Sequence, residues 1–489
     1  MTLKDQTIRA FVWVTSARAV SQIFSWLISI LLARLLLPSD FGLVALAWVV
    51  VGFLDLINEL GVGAAIVQKK DLDTRDINAV FWLSLGTAAL LYTLVFALAP
   101  LLAGFFGNEH LTLVIRLLAI TVIMAGFRTI PFNLLTKDLA FAKRSLAEFS
   151  SIVIGGCFSV TLALNGYGVW SLVTGTLAQH AVLTGIVFTM SAWKPEWVFD
   201  LGRAKRLLAF GTSVMSSRVL WYTYISADSL IIGKVLGDRL LGYYSMATQL
   251  STLPVQKVTG IVNQVAFPVF SKLQDDPIRL KVYFLKITRF VALITFPTMV
   301  GLYLVSENLI RVLLTEKWLP SVEIFKLLCV IGLLKSVDAI IPNLLVAKGK
   351  PNLVVRFNSL CIVAMPTAFV IGAQYGIQGV GYAWLVTYPL ISLYLYRQGL
   401  HEAGTNLWEY SANLAPAVVA SLLMAVGVFA FQALDVAWYG KNLYLAIGGA
   451  VFVGVSTYLL SLASFHKDVM TEVRDVIATL RAKPQTSTR

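Results

Sequence analysis

Apolar runs of about 20 residues follow one another along nearly the whole chain, separated by short clusters rich in Lys, Arg, Gly and Pro. Each run is long enough to cross a hydrocarbon layer of about 30 Å as a helix rising ~1.5 Å per residue. Main-chain polar groups find no water there, so only helices or a closed barrel can span it. A transmembrane barrel needs alternating segments of about ten residues, and these runs are continuous. Composition agrees: 58% of the 489 residues are hydrophobic and 13% are charged. Soluble domains carry about 25% charged residues. The chain reads as an all-α polytopic membrane protein.

A hydropathy pass predicts fourteen spans, near 10–36, 41–66, 78–103, 110–132, 145–164, 168–190, 207–232, 240–268, 282–305, 320–346, 357–374, 378–398, 413–433 and 442–464. With the N-terminus inside, most of the 39 Lys and Arg fall in inside loops. The positive-inside rule then expects both termini on the cytoplasmic side. The net charge of +13 follows from that bias and from attraction to anionic lipid, and calls for no nucleic acid. The outside loops, such as Gly104–His110, are too short for an extramembrane catalytic domain. The tail His466–Arg489 reads as a helix lying on the membrane surface or as a frayed end.

Cys157, Cys329 and Cys361 lie inside apolar runs without a CxxC spacing and are expected to be packed core thiols. The four histidines are scattered, so no metal site is predicted.

The chain repeats itself. Residues 14–47 lie on 214–247 without a gap, and seven of the 34 positions are identical, among them Arg18/Arg218, Leu36/Leu236 and Gly42/Gly242. IPFNLLTK (130–137) answers IPNLLVAK (341–348), pairing Pro131 with Pro342 and Lys137 with Lys348. GYGVWSLVT (166–174) answers GVGYAWLVT (379–387) in the same order. The expected organisation is a six-helix bundle over 1–200, a second over 201–400, two extra transmembrane helices over 401–465 and a cytoplasmic tail over 466–489. Six spans per unit is even, so both bundles enter the membrane in one direction. They should be related by a pseudo-two-fold along the membrane normal, enclosing a central cavity that opens by alternating access.

A charge inside a span costs at least about 2.5–3.5 kcal/mol at a helix centre, so it marks a cavity or a partner. Arg18 and Arg218 are repeat-equivalent, and Lys257 and Lys335 add mid-span positive charge. Arginine's planar fork matches phosphate oxygens, so these four are the substrate-binding candidates for an anionic head group such as a diphosphate. The alternative is local ion pairing, Arg18 with Asp55 or Glu59 and Lys335 with Asp338. Asp55, Asn58 and Glu59 share one helical face. Asp55 and Glu59, with Asp228, are the candidates for coupling to a proton or sodium ion, although Asp228 also reads as a gate or packing residue. Arg116, Arg128 and Glu148 are expected near span ends, snorkelling to the interface. No catalytic group, metal or resident cofactor is expected.

ARLLLPSDFGLVALA (33–47), followed by ELGVGAAIVQKKD (59–71), resembles the polysaccharide transporter family of the multidrug/oligosaccharidyl-lipid/polysaccharide exporter superfamily. The likeness is to the Wzx-type O-antigen and exopolysaccharide flippases, and it extends over essentially the whole chain. It implies transfer of undecaprenyl-diphosphate-linked oligosaccharide across a bacterial inner membrane for exopolysaccharide, lipopolysaccharide or capsule synthesis. It also implies contact of the cavity arginines with the diphosphate or acidic sugars, and working partners among polymerase and export machinery. The competing functions are a multidrug antiporter or a lipid II flippase of the same superfamily, and a membrane-embedded polysaccharide polymerase. An antiporter of cationic drugs needs a carboxylate-dominated cavity, and a polymerase a sizeable outer loop.

Orientation is open to direct test with alkaline phosphatase fusions, which are active only outside the cytoplasm. A fusion after Asn108 is expected to be active and one after Asp138 inactive. The reverse pattern overturns the assigned topology.

Overall fold

The computed structural model describes residues 20–59, 73–197, 202, 211–434 and 442–465. They form fourteen successive helical rods. The first six are α1 (Val20–Leu35), α2 (Pro38–Glu59), α3 (Thr74–Phe106), α4 (His110–Lys137, broken at Ala119), α5 (Phe141–Leu164) and α6 (Val169–Met190). The next six are α7 (Gly211–Val235), α8 (Asp238–Lys272), α9 (Pro277–Leu313), α10 (Val322–Asp338 continued by Ile341–Ala347), α11 (Pro351–Ala373) and α12 (Gly376–Ala403). Then come α13 (Leu407–Leu434) and α14 (Leu443–Phe465). The count and order match the predicted spans, and the protein is an all-α polytopic membrane protein. Nine of the described helices are long and apolar enough to cross a bilayer alone.

The residues pack as two compact units. One comprises 1–245 with 362–380, the other 246–361 with 381–489.

In the first unit the repeat is visible in backbone bonds. The amide of Leu36 donates to the Leu32 carbonyl and that of Leu236 to Ile232, both at 2.8 Å, so the offset of 200 holds in three dimensions. Gly42 and Gly242 face each other. A methyl group on Gly42 would collide with the carbonyl oxygen of Asp238 and stand 3.0 Å from the Gly242 nitrogen. A methyl on Gly242 would collide in turn with the carbonyl of Pro38. The contact is reciprocal, 42 on 238 and 242 on 38, which is the signature of a two-fold axis passing between the first turns of α2 and α8. The same end is tied by Asn108 Nδ2 donating to Asp238 Oδ2 at 3.1 Å, and by Lys234, which donates to the Phe105 carbonyl.

Farther along, the structure corrects the sequence register. The amides of Asp138, Leu139 and Ala140 donate to the carbonyls of Leu134, Thr136 and Leu135. Those of Lys348, Gly349 and Lys350 donate to Leu344, Val346 and Leu345. The two sets differ by 210, not 211, and Leu139 (φ 54°) takes the left-handed conformation of Gly349 (φ 71°). Asn133 and Asn343 repeat the pattern, each amide donating to the carbonyl four residues back, Thr129 and Ala339. The pairing of Pro131 with Pro342 and of Lys137 with Lys348 is therefore off by one residue. The glycine phrase also divides in its structural work. Gly166 (φ 80°) and Gly168 (φ 55°) form the turn into α6, whereas Gly379 and Gly381 lie inside α12. There Gly379 packs on the Gly372 backbone and Gly381 on Ile324 and Leu327.

In the second unit α13 is strapped to α9 in constant register. Lys281 pairs with Glu409 at 2.6 Å, Asn413 Nδ2 donates to the Leu285 carbonyl at 2.8 Å, and Gln432 Nε2 to Leu304 at 3.3 Å. A fixed spacing over this length requires the two helices to run parallel. Tyr458 of α14 donates to the Leu293 carbonyl, and Ala420, Met424, Val428 and Ala450 fill the space between.

Cys329 and Cys361 are buried, but Cys157 is exposed. It shares its surface with Ile154 and Phe158, 49% and 47% exposed. In a membrane span an apolar run does not mean a core position, because the outer face of the helix meets lipid.

Gly42→Ala is expected to lower stability by about 1–3 kcal/mol, the usual cost of overpacking. A methyl at Gly86 of α3 meets nothing within 4 Å, so Gly86→Ala is neutral or stabilising. Thermal unfolding of the purified variants in detergent compares them, and equal midpoints would remove the close contact.

Candidate functional site

Two polar clusters lie within the spans, one in each unit. The first is built on α2, α4, α6 and α7. Pro131 gives α4 no amide to bond the preceding turn, and polar side chains beside it bond back along the helix: Thr129 Oγ1 donates to Ala125 and Asn133 to Thr129, both at 2.7 Å. One turn before that proline stands Arg128. Its Nη1 donates to Nδ1 of His180 on α6 at 3.0 Å. Guanidinium nitrogens only donate, so Nδ1 accepts and the neutral imidazole carries its proton on Nε2. Thr184, one turn along α6, donates to the Met124 carbonyl at 3.4 Å and holds the same helix pair.

From α2, the Asp55 carboxylate acts electrostatically on Arg128 and on Tyr222 of α7. The Tyr222 hydroxyl donates to the carbonyls of Trp48 and Val49 at 3.2 and 3.1 Å. It fits there because Gly52 has no side chain to meet the phenol. Trp48 also packs its ring 6.4 Å from that of His180. Asn58 is buried and donates to the Val122 carbonyl at 3.5 Å.

The second cluster joins α10 to α12. Asp338 is 3% exposed and accepts from Ser392 Oγ at 3.1 Å, from the Tyr396 hydroxyl and from Tyr388. Hydrogen bonds to a charged group contribute about 1.5–3 kcal/mol each. They work against the cost of burying the carboxylate. One turn earlier, the Lys335 ammonium sits 3.3 Å from the centre of the buried Trp384 ring and 5.4 Å from that of Tyr388. A desolvated cation over aromatic faces gains about 2 kcal/mol. Tyr388 touches both charged groups, and Phe357 packs edge-on against it at 6.4 Å.

The corrected register places Arg128 and Asp338 at the same position of the two repeats. Each sits on the fourth helix of its six and faces polar groups of the sixth. One is a cation and the other an anion.

The sequence-derived candidates are distributed as follows. Arg18 lies outside the described residues, and Arg218 and Glu59 lie on described helices without described side chains. Lys257 is exposed on α8. Asp55 belongs to the first cluster and Lys335 to the second. Asp228 is 5% exposed, bonded by the Tyr244 hydroxyl and by the amide and hydroxyl of Ser229. Arg116 sits over the Phe96 ring at 4.1 Å, and Arg144 pairs with Glu148 at 3.1 Å. Arg128 lies on α4, which continues past it to Lys137, and its partner His180 is one that only folding reveals. Among the described residues there is no group of His, Cys, Asp and Glu able to hold a metal ion.

The sequence pattern of a family described as polysaccharide biosynthesis protein matches residues 31–323. The chain is 28% identical over 376 residues to the lipopolysaccharide biosynthesis protein WzxC of Escherichia coli (strain K12), covering 76% of each chain. It is 27% identical over 402 residues to the succinoglycan biosynthesis transport protein ExoT of Rhizobium meliloti (strain 1021), covering 81% of each. Among solved structures, it matches the lipid II flippase MurJ in an inward closed conformation with a TM-score of 0.78. That match has 15% identity and covers 94% of this chain and 100% of the other. It establishes that the two chains share an all-helical fold.

Asp338 and Tyr396 are expected to be energetically coupled. In a double-mutant cycle of Asp338→Asn and Tyr396→Phe, read by unfolding of the purified protein, the coupling should be about 1.5–3 kcal/mol. Additive losses would show that the hydroxyl does not stabilise the carboxylate.

Proposed function

The chain belongs to the family of polysaccharide biosynthesis proteins, and from that premise we propose that it is a flippase. It moves undecaprenyl-diphosphate-linked oligosaccharide repeat units from the cytoplasmic to the periplasmic leaflet of a bacterial inner membrane. Both termini face the cytoplasm. The observation that carries this reading is the extent of the kinship: it runs through most of this chain and of relatives named for making or moving surface polysaccharide. The relatives are transport and biosynthesis proteins of the membrane, and we read this chain as a transporter, not an enzyme.

In this reading transport is by alternating access. Arg18 and Arg218, equivalent in the repeat, engage the diphosphate, and Lys257 and Lys335 extend the positive charge. Lys335 reaches substrate by leaving the Trp384 ring, an exchange of one favourable contact for another that costs little net free energy. Asp55 and Glu59 are the places where a proton or sodium ion couples to the cycle, with Asp228 as the third candidate. Polymerase and export machinery receive the product on the outer side.

The test is complementation of a deletion strain at matched membrane levels, reading surface polysaccharide together with accumulated lipid-linked repeat unit. Wild type is expected to restore polysaccharide. Arg18→Ala and Arg218→Ala are expected to insert normally and accumulate the intermediate, with at least a tenfold loss of export. Unchanged polysaccharide in the deletion strain sinks the flippase reading, and rescue of cells depleted of lipid II flippase redirects it. Normal export by both variants removes the two arginines from the substrate path.

A further inference from the structure

The Arg128–His180 pair differs from an ordinary buried ion pair. A charge inside a span is normally held by an opposite charge in hydrogen-bond contact. Here, among the described residues, the hydrogen-bond partner of the Arg128 guanidinium is a neutral imidazole nitrogen. His180 fixes the direction of the fork without cancelling its charge, and engages one of five N–H donors. Arg128 is partly exposed, and among the described residues its guanidinium makes no other hydrogen bond. The Asp55 carboxylate acts on the group through space. The opposite half confirms that this is not the only way to fill the position: at the equivalent place Asp338 is enclosed by three hydroxyl donors. The first half sets a guanidinium against a single neutral acceptor where the second surrounds a carboxyl with hydroxyl donors.

We propose that Arg128 is an anion-binding residue of the first unit, taking phosphoryl oxygens of the isoprenyl diphosphate that carries the glycan, with His180 as its positioning residue. The inference rests on the flippase reading and adds to it a site that repeat symmetry does not point to. The planar fork offers two parallel N–H bonds to a phosphoryl group, which an ammonium cannot reproduce. His180 holds the fork in place through Nδ1, a role that needs an acceptor at that point and nothing else of the imidazole.

The experiment uses the full chain in nanodiscs of phosphatidylcholine, with farnesyl diphosphate as the probe and farnesol and glucuronate as controls. Wild type is expected to bind farnesyl diphosphate and neither control. Arg128→Gln should weaken binding at least tenfold, and Arg128→Lys, which keeps charge but loses the fork, at least threefold. His180→Asn, whose amide oxygen replaces Nδ1, should bind within threefold of wild type, while His180→Phe loses affinity as Arg128→Gln does. Thermal unfolding of each variant separates loss of binding from loss of fold. If Arg128→Gln does not fold, the comparison of His180→Asn with His180→Phe decides.

Failure of wild type to bind overturns the proposal, as does equal binding by Arg128→Gln. Binding of glucuronate with the same dependence on Arg128 moves the ligand from carrier to acidic sugar and also overturns it. Displacement of the probe by phosphatidylglycerol added to the nanodisc, with that dependence, makes the ligand a membrane headgroup, with the same consequence. The two readings separate cleanly. Arg128-dependent binding with unchanged surface polysaccharide in the deletion strain defeats the flippase reading and leaves the site. Restored export by both wild type and Arg128→Gln defeats the site and leaves the flippase.

Discussion

Polar groups inside a bilayer must be satisfied by the protein, because lipid chains offer them nothing. For the backbone, that requirement makes every span a helix and allows breaks only where other groups take up the freed carbonyls. For side chains it selects partners. Asp338 is enclosed by hydroxyls, Lys335 rests on aromatic faces, and Arg128 leans on an imidazole that leaves its charge intact.

Strapping also follows from it. The polar side chains of α13 reach carbonyls of α9 at a constant spacing, so the helices added after the repeat are held by bonds that lipid cannot compete for. Packing between α13 and α14 fills the remaining space at close small-residue contacts, Gly427 on Thr457, Gly449 on Phe431 and Gly454 on Val428.

The spans were legible in the sequence because hydrophobicity and helix length are local properties. So was the first part of the repeat: Leu36/Leu236 and Gly42/Gly242 occupy equivalent places because no residue is gained or lost across that turn. The match at 130–137 misled by one residue because Pro131 and Pro342 draw the eye, while the backbone turn is set by Leu139 and Gly349, only one of which looks like a turn residue. Partners such as His180, Ser392 and Tyr396 lie more than 50 residues from the charges they serve, and no local pattern announces them. Cys157 shows the converse: hydropathy reports that a residue meets no water, and it does not distinguish lipid from protein.

The glycine contact between α2 and α8 carries a historical implication. When two equivalent positions touch each other across a two-fold, each is the other's environment. In a half-length chain that paired with its own copy, a single glycine codon would have served both sides, and one substitution would have struck the contact twice. Once the halves are joined in one gene the two codons are free to drift, yet neither can gain a side chain while the other's backbone stays in place. The pair is bound by geometry to remain alike long after the sequences around it have diverged.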